Sequence, residues 1–454
     1  MEQQALTINP LAVLLLVAAV VVALTFNRQN AVKALLASSV FIPSGQQFVI
    51  FGVHFHFFRI VLAAGLLRVI VRQDFAGFRF NPLDKFYLAW GLVGMLCESL
   101  HGQTQNATGG FYNAVGTYFL VRCLITDVAD VAGQLKFLAW VVFGVALCML
   151  VEFSLRHNPF AVFGGVLDVP EIRAGRVRCQ GPFRSSNVAG AFGATLFPLM
   201  VGLWFSGREN KRAAALGVLG CAAATFFCNS SSPYICVMIA LVGFALWNIR
   251  GRMSLVRRGL VLALIVLAVV MKAPVWYVVA KIGDFSGGNA WHRAFIIDLF
   301  IHHFDSWWLM GTWHTVDWSP HFTRLAIDPN QLDITNQYVE QGIEGGVWKL
   351  LLFIAVLVAG FKIIGQALDS AGRVPLNPKL IWALGVGLAA HCACFFSICY
   401  FDQIQVYWFW FVAILGSLSA YLLRPDETST ADASADDLAP VPVDDGIEPL
   451  HAPN

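Results

Sequence analysis

Long apolar stretches recur along almost the whole chain, each near the roughly 20 residues that an α-helix needs to cross hydrocarbon. They lie near 10–26, 30–44, 56–72, 84–102, 108–127, 134–154, 186–205, 212–229, 233–249, 257–273, 346–365, 379–398 and 403–423. A backbone in lipid must satisfy its own N–H and C=O groups, and a helix does that within one segment. The expectation is therefore an all-α polytopic transmembrane helical bundle of 12 or 13 spans, the second being the weakest. Charge agrees, since Asp, Glu, Lys and Arg make up 13% of the 454 residues, against about 25% in an ordinary soluble domain. That balance excludes a water-soluble globule, a disordered chain and a nucleic-acid binder.

Basic residues mark the cytoplasmic loops. They collect at Arg28 and Lys33, at Arg68 to Lys85, at Arg208 to Arg212, at Arg250 to Arg258 and at Lys362 to Lys379, whereas 45–53, 103–107 and 230–232 carry neither Lys nor Arg. The alternation puts the amino terminus outside with 13 spans, or inside if one N-terminal segment is re-entrant and the spans are 12, and divides the chain into four parts. An N-terminal bundle over 1–272 carries an outer loop at 154–185, a large extracytoplasmic loop covers 273–345, further spans cover 346–424, and a disordered cytoplasmic tail covers 425–454. The tail has eight acids and no Lys or Arg, which leaves a body of 30 basic and 20 acidic residues.

The outer loops are where chemistry is expected. The first holds Arg156, Arg173, Arg176, Arg178 and Arg184 and so breaks the positive-inside pattern. All five are Arg, which suits bidentate recognition of an anion such as phosphate; attraction to anionic lipid headgroups is the plainer explanation. The second holds Trp276, Trp291, Trp307, Trp308, Trp313 and Trp318 with His292, His302, His303, His314 and His321. An interfacial aromatic belt accounts for the Trp residues, and a sugar-binding surface competes with it, because an indole covers sugar C–H groups while its neighbours bond hydroxyls. Asn289 is a candidate N-cap that would place His292 and Arg293 in a first helical turn, a natural phosphate site, and Asp298 can reach His302 one turn along. Asp333, Thr335, Asn336, Glu340 and Glu344 crowd the mouth of the span at 346–365. Within spans, Arg59 and His391 are either paired or on a pathway. Cys392 and Cys394 have no second pair at zinc spacing, so no metal is expected.

Arg178-Cys179-Gln180-Gly181-Pro182-Phe183-Arg184-Ser185-Ser186-Asn187 resembles the Arg-x-x-Gly-x-Phe-x-x-x-Asn signature of the O-antigen ligase and polymerase superfamily. Trp291-His292-Arg293, Trp307 to Thr312, and Asp333-x-Thr335-Asn336-x-Tyr338 through Gly346 resemble that family's large periplasmic loop and exit helix, so the likeness covers about 170–365. The resemblance implies an inner-membrane glycosyltransferase of the GT-C type with its active face in the periplasm. Its donor would be an undecaprenyl-diphosphate-linked glycan and its acceptor a glycan or lipid A core sugar, with membrane lipid as surroundings and no cofactor or metal. It further implies that Arg178 and Arg293, supported by Arg176, Arg184 and His292, hold the diphosphate. Asn187, Asn336, Tyr338 and Glu340 would then position substrate.

Two departures matter. Thr335 stands where many ligases have a His, and Ser231-Ser232-Pro233 stands where Ser-Arg-Gly is common. His314, His292 and Asp333 remain as candidate bases, with His314 first. A transporter or flippase of polyprenyl-linked sugars is the rival reading.

Overall fold

The computed structural model describes residues 8–43, 45–50, 53–173, 175–278, 290–319, 330–370 and 372–424. The acidic tail, the Asn289 cap and His321 lie outside them. Eleven helices precede the large loop: α1 Pro10–Thr25, α2 Arg28–Phe41, α3 Phe57–Val71, α4 Pro82–Leu100, α5 Thr104–Phe111, α6 Thr117–Leu124, α7 Asp130–Leu155, α8 Ser186–Leu203, α9 Lys211–Phe227, α10 Ser231–Ala245 and α11 Met253–Val270. The loop carries α12 Ala290–His302 and the single turn α13 Phe304–Trp307, and α14 Gln337–Asp369, α15 Pro378–Phe395 and α16 Gln403–Leu422 follow. Strands among the described residues form two short antiparallel hairpins, β1 Gln47–Ile50 with β2 Val53–His56 and β3 Glu171–Arg173 with β4 Arg176–Arg178. The fold is all-α.

Helix falls on every expected span, but among the described residues six stretches combine the length and apolarity needed to cross a membrane: α7, α8, the run from α10 through α11, α14, α15 and α16. The count is lower than 12 or 13 for local reasons. A π-helical turn at Tyr112–Gly116 separates α5 from α6, and α2, α3 and α9 have 14, 15 and 17 residues. Helix starts are written in side chains. Asn81 accepts from the N–H groups of Leu83 and Asp84 while the Asp84 carboxylate accepts from Asn81, a complete capping box before Pro82.

Polar side chains inside the bundle bond one another. Asp84, fully buried, accepts from Arg122 at 2.9 Å and from the Tyr118 hydroxyl at 2.6 Å, joining α4 to α6. Arg59 donates to Asn113 at 3.1 Å, and His391 shares a 2.8 Å hydrogen bond with Tyr400. Both residues singled out within spans are thus engaged.

The large loop packs a small core of its own from Ile296, Leu299, Trp307, Trp318, Leu332 and Ile343. It is also joined to α14 at a break. Gly345 and Gly346 leave the helical conformation, Gly346 at φ 66°. The Thr312 N–H then donates to the Ile343 carbonyl and the Val347 N–H to the Trp308 carbonyl, both at 2.8 Å. A Cβ on Gly311 would lie 2.0 Å from the Ile343 oxygen, and one on Gly346 2.5 Å from the Leu309 oxygen. Glycine at both positions lets backbone meet backbone.

Candidate functional site

The Arg178 segment is fixed before its side chain acts. The Gln180 and Gly181 N–H groups donate to the Glu152 carboxylate at the end of α7, at 3.0 and 2.8 Å. Gln403 donates to the Pro182 carbonyl at 2.7 Å, and the Cys179 N–H to that of Phe227 at 3.0 Å. Hairpin register sets Arg178 opposite Glu171, and they form a 2.9 Å ion pair. The other arm of the guanidinium donates to Asn187 Oδ1 at 2.6 Å, an atom that also accepts from the Ser230 hydroxyl at 2.6 Å.

Arg293 arrives from the other loop. Helix α12 carries His292 and Arg293 in its first turn, and Arg293 donates to the Ser232 hydroxyl at 2.8 Å. It is 8% exposed and has no carboxylate partner among the described residues. Burial pulls its pKa down, with Arg173 pushing the same way. Ser230 is the N-cap of α10 but makes no side-chain capping bond, its hydroxyl being used on Asn187. Arg293 directly and Arg178 by way of Asn187 are thus both linked to the start of α10, where a helix N-terminus adds partial positive charge. Arg173 and Arg176 stand exposed on the hairpin beside them.

His292 does not add a cation here. Burial lowers its pKa, and its Nε2 donates to the Asp333 carbonyl at 3.2 Å, so the neutral ring positions the 333 segment. His292, expected to support the diphosphate, shares the first turn of α12 with Arg293.

A cavity of about 930 Å³ adjoins the arginines. Of the expected site residues, Asn187, Arg184, Asp333 and Glu340 line it, and Asn187 links it to Arg178. Asp333 opens on the cavity, whose walls remove enough solvent to raise its carboxyl pKa against the opposing pull of His292. Asn336 and Tyr338 serve the fold: Asn336 caps α14 by accepting from the Tyr338 and Val339 N–H groups, and Tyr338 donates to the Cys392 carbonyl at 3.1 Å. His314 is exposed and its side chain is not part of the lining, although Trp313 and Thr315 on either side are. Arg184 reaches only to 3.9 Å from Asp402, its side chain 68% exposed.

Several lining groups went unnoticed in the sequence. Lys349, between Gly94 and Gly345, bridges Glu98 at 3.2 Å and Glu344 at 2.7 Å. Trp90 donates to Gln341 at 2.6 Å. Charged residues within expected spans, Glu98 and Lys349, were the signal for the first. The Trp-rich loop divides by role. Trp313 lines the cavity, Trp307 and Trp318 are buried in the loop core, and Trp291 is exposed, stacked on Phe295. The Asp298 carboxylate accepts from Trp276 and Tyr277, while His302 bonds the Asp298 carbonyl. Among the described residues no group of three His, Cys, Asp or Glu is placed to hold a metal ion.

No protein-family model matches the chain, and no curated protein matches it.

Proposed function

We propose that the chain is a membrane glycosyltransferase of the GT-C type that moves a glycan from an undecaprenyl-diphosphate-linked donor to an acceptor hydroxyl, on the periplasmic face of the bacterial inner membrane. One observation carries this reading: Arg293 is a buried guanidinium with no carboxylate partner among the described residues, bonded at the start of α10, to which Arg178 is linked through Asn187 and Ser230. A buried cation left unpaired costs several kcal/mol, and an anionic ligand removes that cost. A diphosphate has the charge and the oxygens for it.

In this mechanism the acceptor oxygen attacks the anomeric carbon and the bond to the diphosphate oxygen breaks, its electron pair leaving with the lipid. Arg293 and Arg178 stabilise the charge that develops there. Asp333 accepts the hydroxyl proton, being anchored next to Arg293 through His292 and open to the cavity. The acceptor is a lipid A core sugar in a ligase or a second lipid-linked repeat in a polymerase.

A broken helix with charges beside it also suits a transporter of lipid-linked sugars. Against that reading, the break in α14 is occupied by the protein's own 308–312 segment. Binding of undecaprenyl diphosphate by the purified chain, followed by native mass spectrometry, tests the anion site. Arg293→Lys should weaken it about tenfold or more through loss of the planar fork. Unchanged affinity contradicts the assignment.

A further inference from the structure

The cavity offers two kinds of unused hydrogen-bonding group. Gln337, 8% exposed, accepts from the Tyr400 N–H at 2.6 Å through Oε1, and its Nε2 has no partner among the described residues. Asn187 is alike: its Oδ1 takes Arg178 and Ser230 while its Nδ2 stays unbonded among those residues. These spare donors line the same space as the carboxyl groups of Asp333 and Glu340, which have no ion-pair partner among the described residues. Spare donors beside spare acceptors complement groups that both donate and accept, and the hydroxyl is that group. Trp90, Trp313 and Trp408 supply aromatic wall, and the volume of about 930 Å³ falls within the roughly 300–1,000 Å³ of small-ligand sites.

The charges on the lining decide what sort of sugar fits. Lys349 is committed to Glu98 and Glu344, and Arg184 lies near Asp402. Carboxyl groups outnumber cations, four (Glu98, Asp333, Glu340, Glu344) to two, and burial together with the neighbouring Glu344 pushes Glu340 up to about 8, so it is mostly protonated near neutral pH and three carboxylates face the two cations. An acidic or phosphorylated sugar would enter against like charge at low dielectric.

Resting on the glycan-transfer reading, we infer that this cavity is the acceptor subsite and that it selects an acceptor whose reacting end is an uncharged saccharide. The diphosphate stays outside it, on the arginines. Asn187 belongs to both subsites, its oxygen turned to Arg178 and its amide nitrogen free for the acceptor.

Full-length protein in nanodiscs is given a lipid-linked donor and two acceptors that differ only in whether the terminal sugar is neutral or carries a carboxylate. The neutral acceptor should be favoured about tenfold or more in kcat/KM. Asn106, exposed and on the lining, gives a variant that spares the machinery. Asn106→Lys should narrow the preference about threefold or more by adding a cation, and Asn106→Gln should leave it alone. Equal use of the two acceptors, or a preference that Asn106→Lys does not move, overturns the inference and leaves the donor reading intact if undecaprenyl diphosphate still binds the same preparation. A preparation that neither binds undecaprenyl diphosphate nor makes product with either acceptor overturns both.

Discussion

Arg178 and Arg293 differ in what they have left to give. Arg178 spends one arm on Glu171 and the other on Asn187, whereas Arg293 has one bond to a serine and no counter-ion among the described residues. Arg178→Lys should therefore lower thermal stability together with turnover, because β4 and the start of α8 lose a shared clamp worth about 1.5–3 kcal/mol. A thermal melt in detergent checks this: an unchanged midpoint would mean that the clamp holds nothing. The base makes a second residue-scale prediction. Asp333→Asn should cost about 100-fold or more in turnover, and His314→Ala little, since that ring is exposed and off the cavity. As the proposed base Asp333 would work only when ionised, and desolvation holds its pKa above the ordinary carboxylate range. Turnover should accordingly rise with pH through a window displaced upward from that range, and Asp333→Asn should abolish the rise. A pH profile unchanged in the variant would remove Asp333 from proton transfer.

What the sequence revealed at this scale follows from chemistry that stands out against apolar surroundings. Arg178, Arg293 and Asp333 could be named because they are polar residues in the two outer loops, and Asn187 because it closes the Arg-x-x-Gly-x-Phe-x-x-x-Asn pattern at the start of α8. Ser232 showed only as a departure from a family pattern, yet it is the partner of Arg293. Asn336 and Tyr338, read from the sequence as substrate-positioning residues, also cap α14 and bond the Cys392 carbonyl, and only the second of these contacts is with a residue distant in the chain.

Among the elements, α14 carries the sharpest test. Apolarity begins at the glycines, so the expected span started at 346, but the helix starts at Gln337 because Asn336 caps it and its first polar turns are helical too. No periodicity announces a break of this kind; paired glycines are its only trace. Gly346 sits at φ 66° and ψ −166°, a region open to little besides glycine. Gly346→Ala should destabilise the protein by roughly 1–3 kcal/mol or more and lower turnover by shifting the 308–312 segment that leads into the cavity wall. A variant with native melting and native turnover would show the junction to be unimportant. The β3–β4 hairpin escaped notice because strands of three residues leave no alternation to read.

For the molecule as a whole, the bundle was legible from apolar runs, and the crossing count was not, since length and apolarity separate only when helix ends are fixed by caps and turns. Both long loops were expected on one side, and both are tied to the start of α10, the first by Arg178 through Asn187 to Ser230 and the second by Arg293 to Ser232. On the proposed function, that shared anchor gives the five-arginine loop a reason to break the charge pattern, since it would bring cations to the diphosphate. The direct measurement of the central claim is turnover by the purified chain in nanodiscs with an undecaprenyl-diphosphate-linked glycan and a saccharide acceptor. Glycosylated acceptor and free undecaprenyl diphosphate should appear in equal amounts, and Arg293→Lys should suppress both together; donor carried across the bilayer with no covalent product would contradict the account.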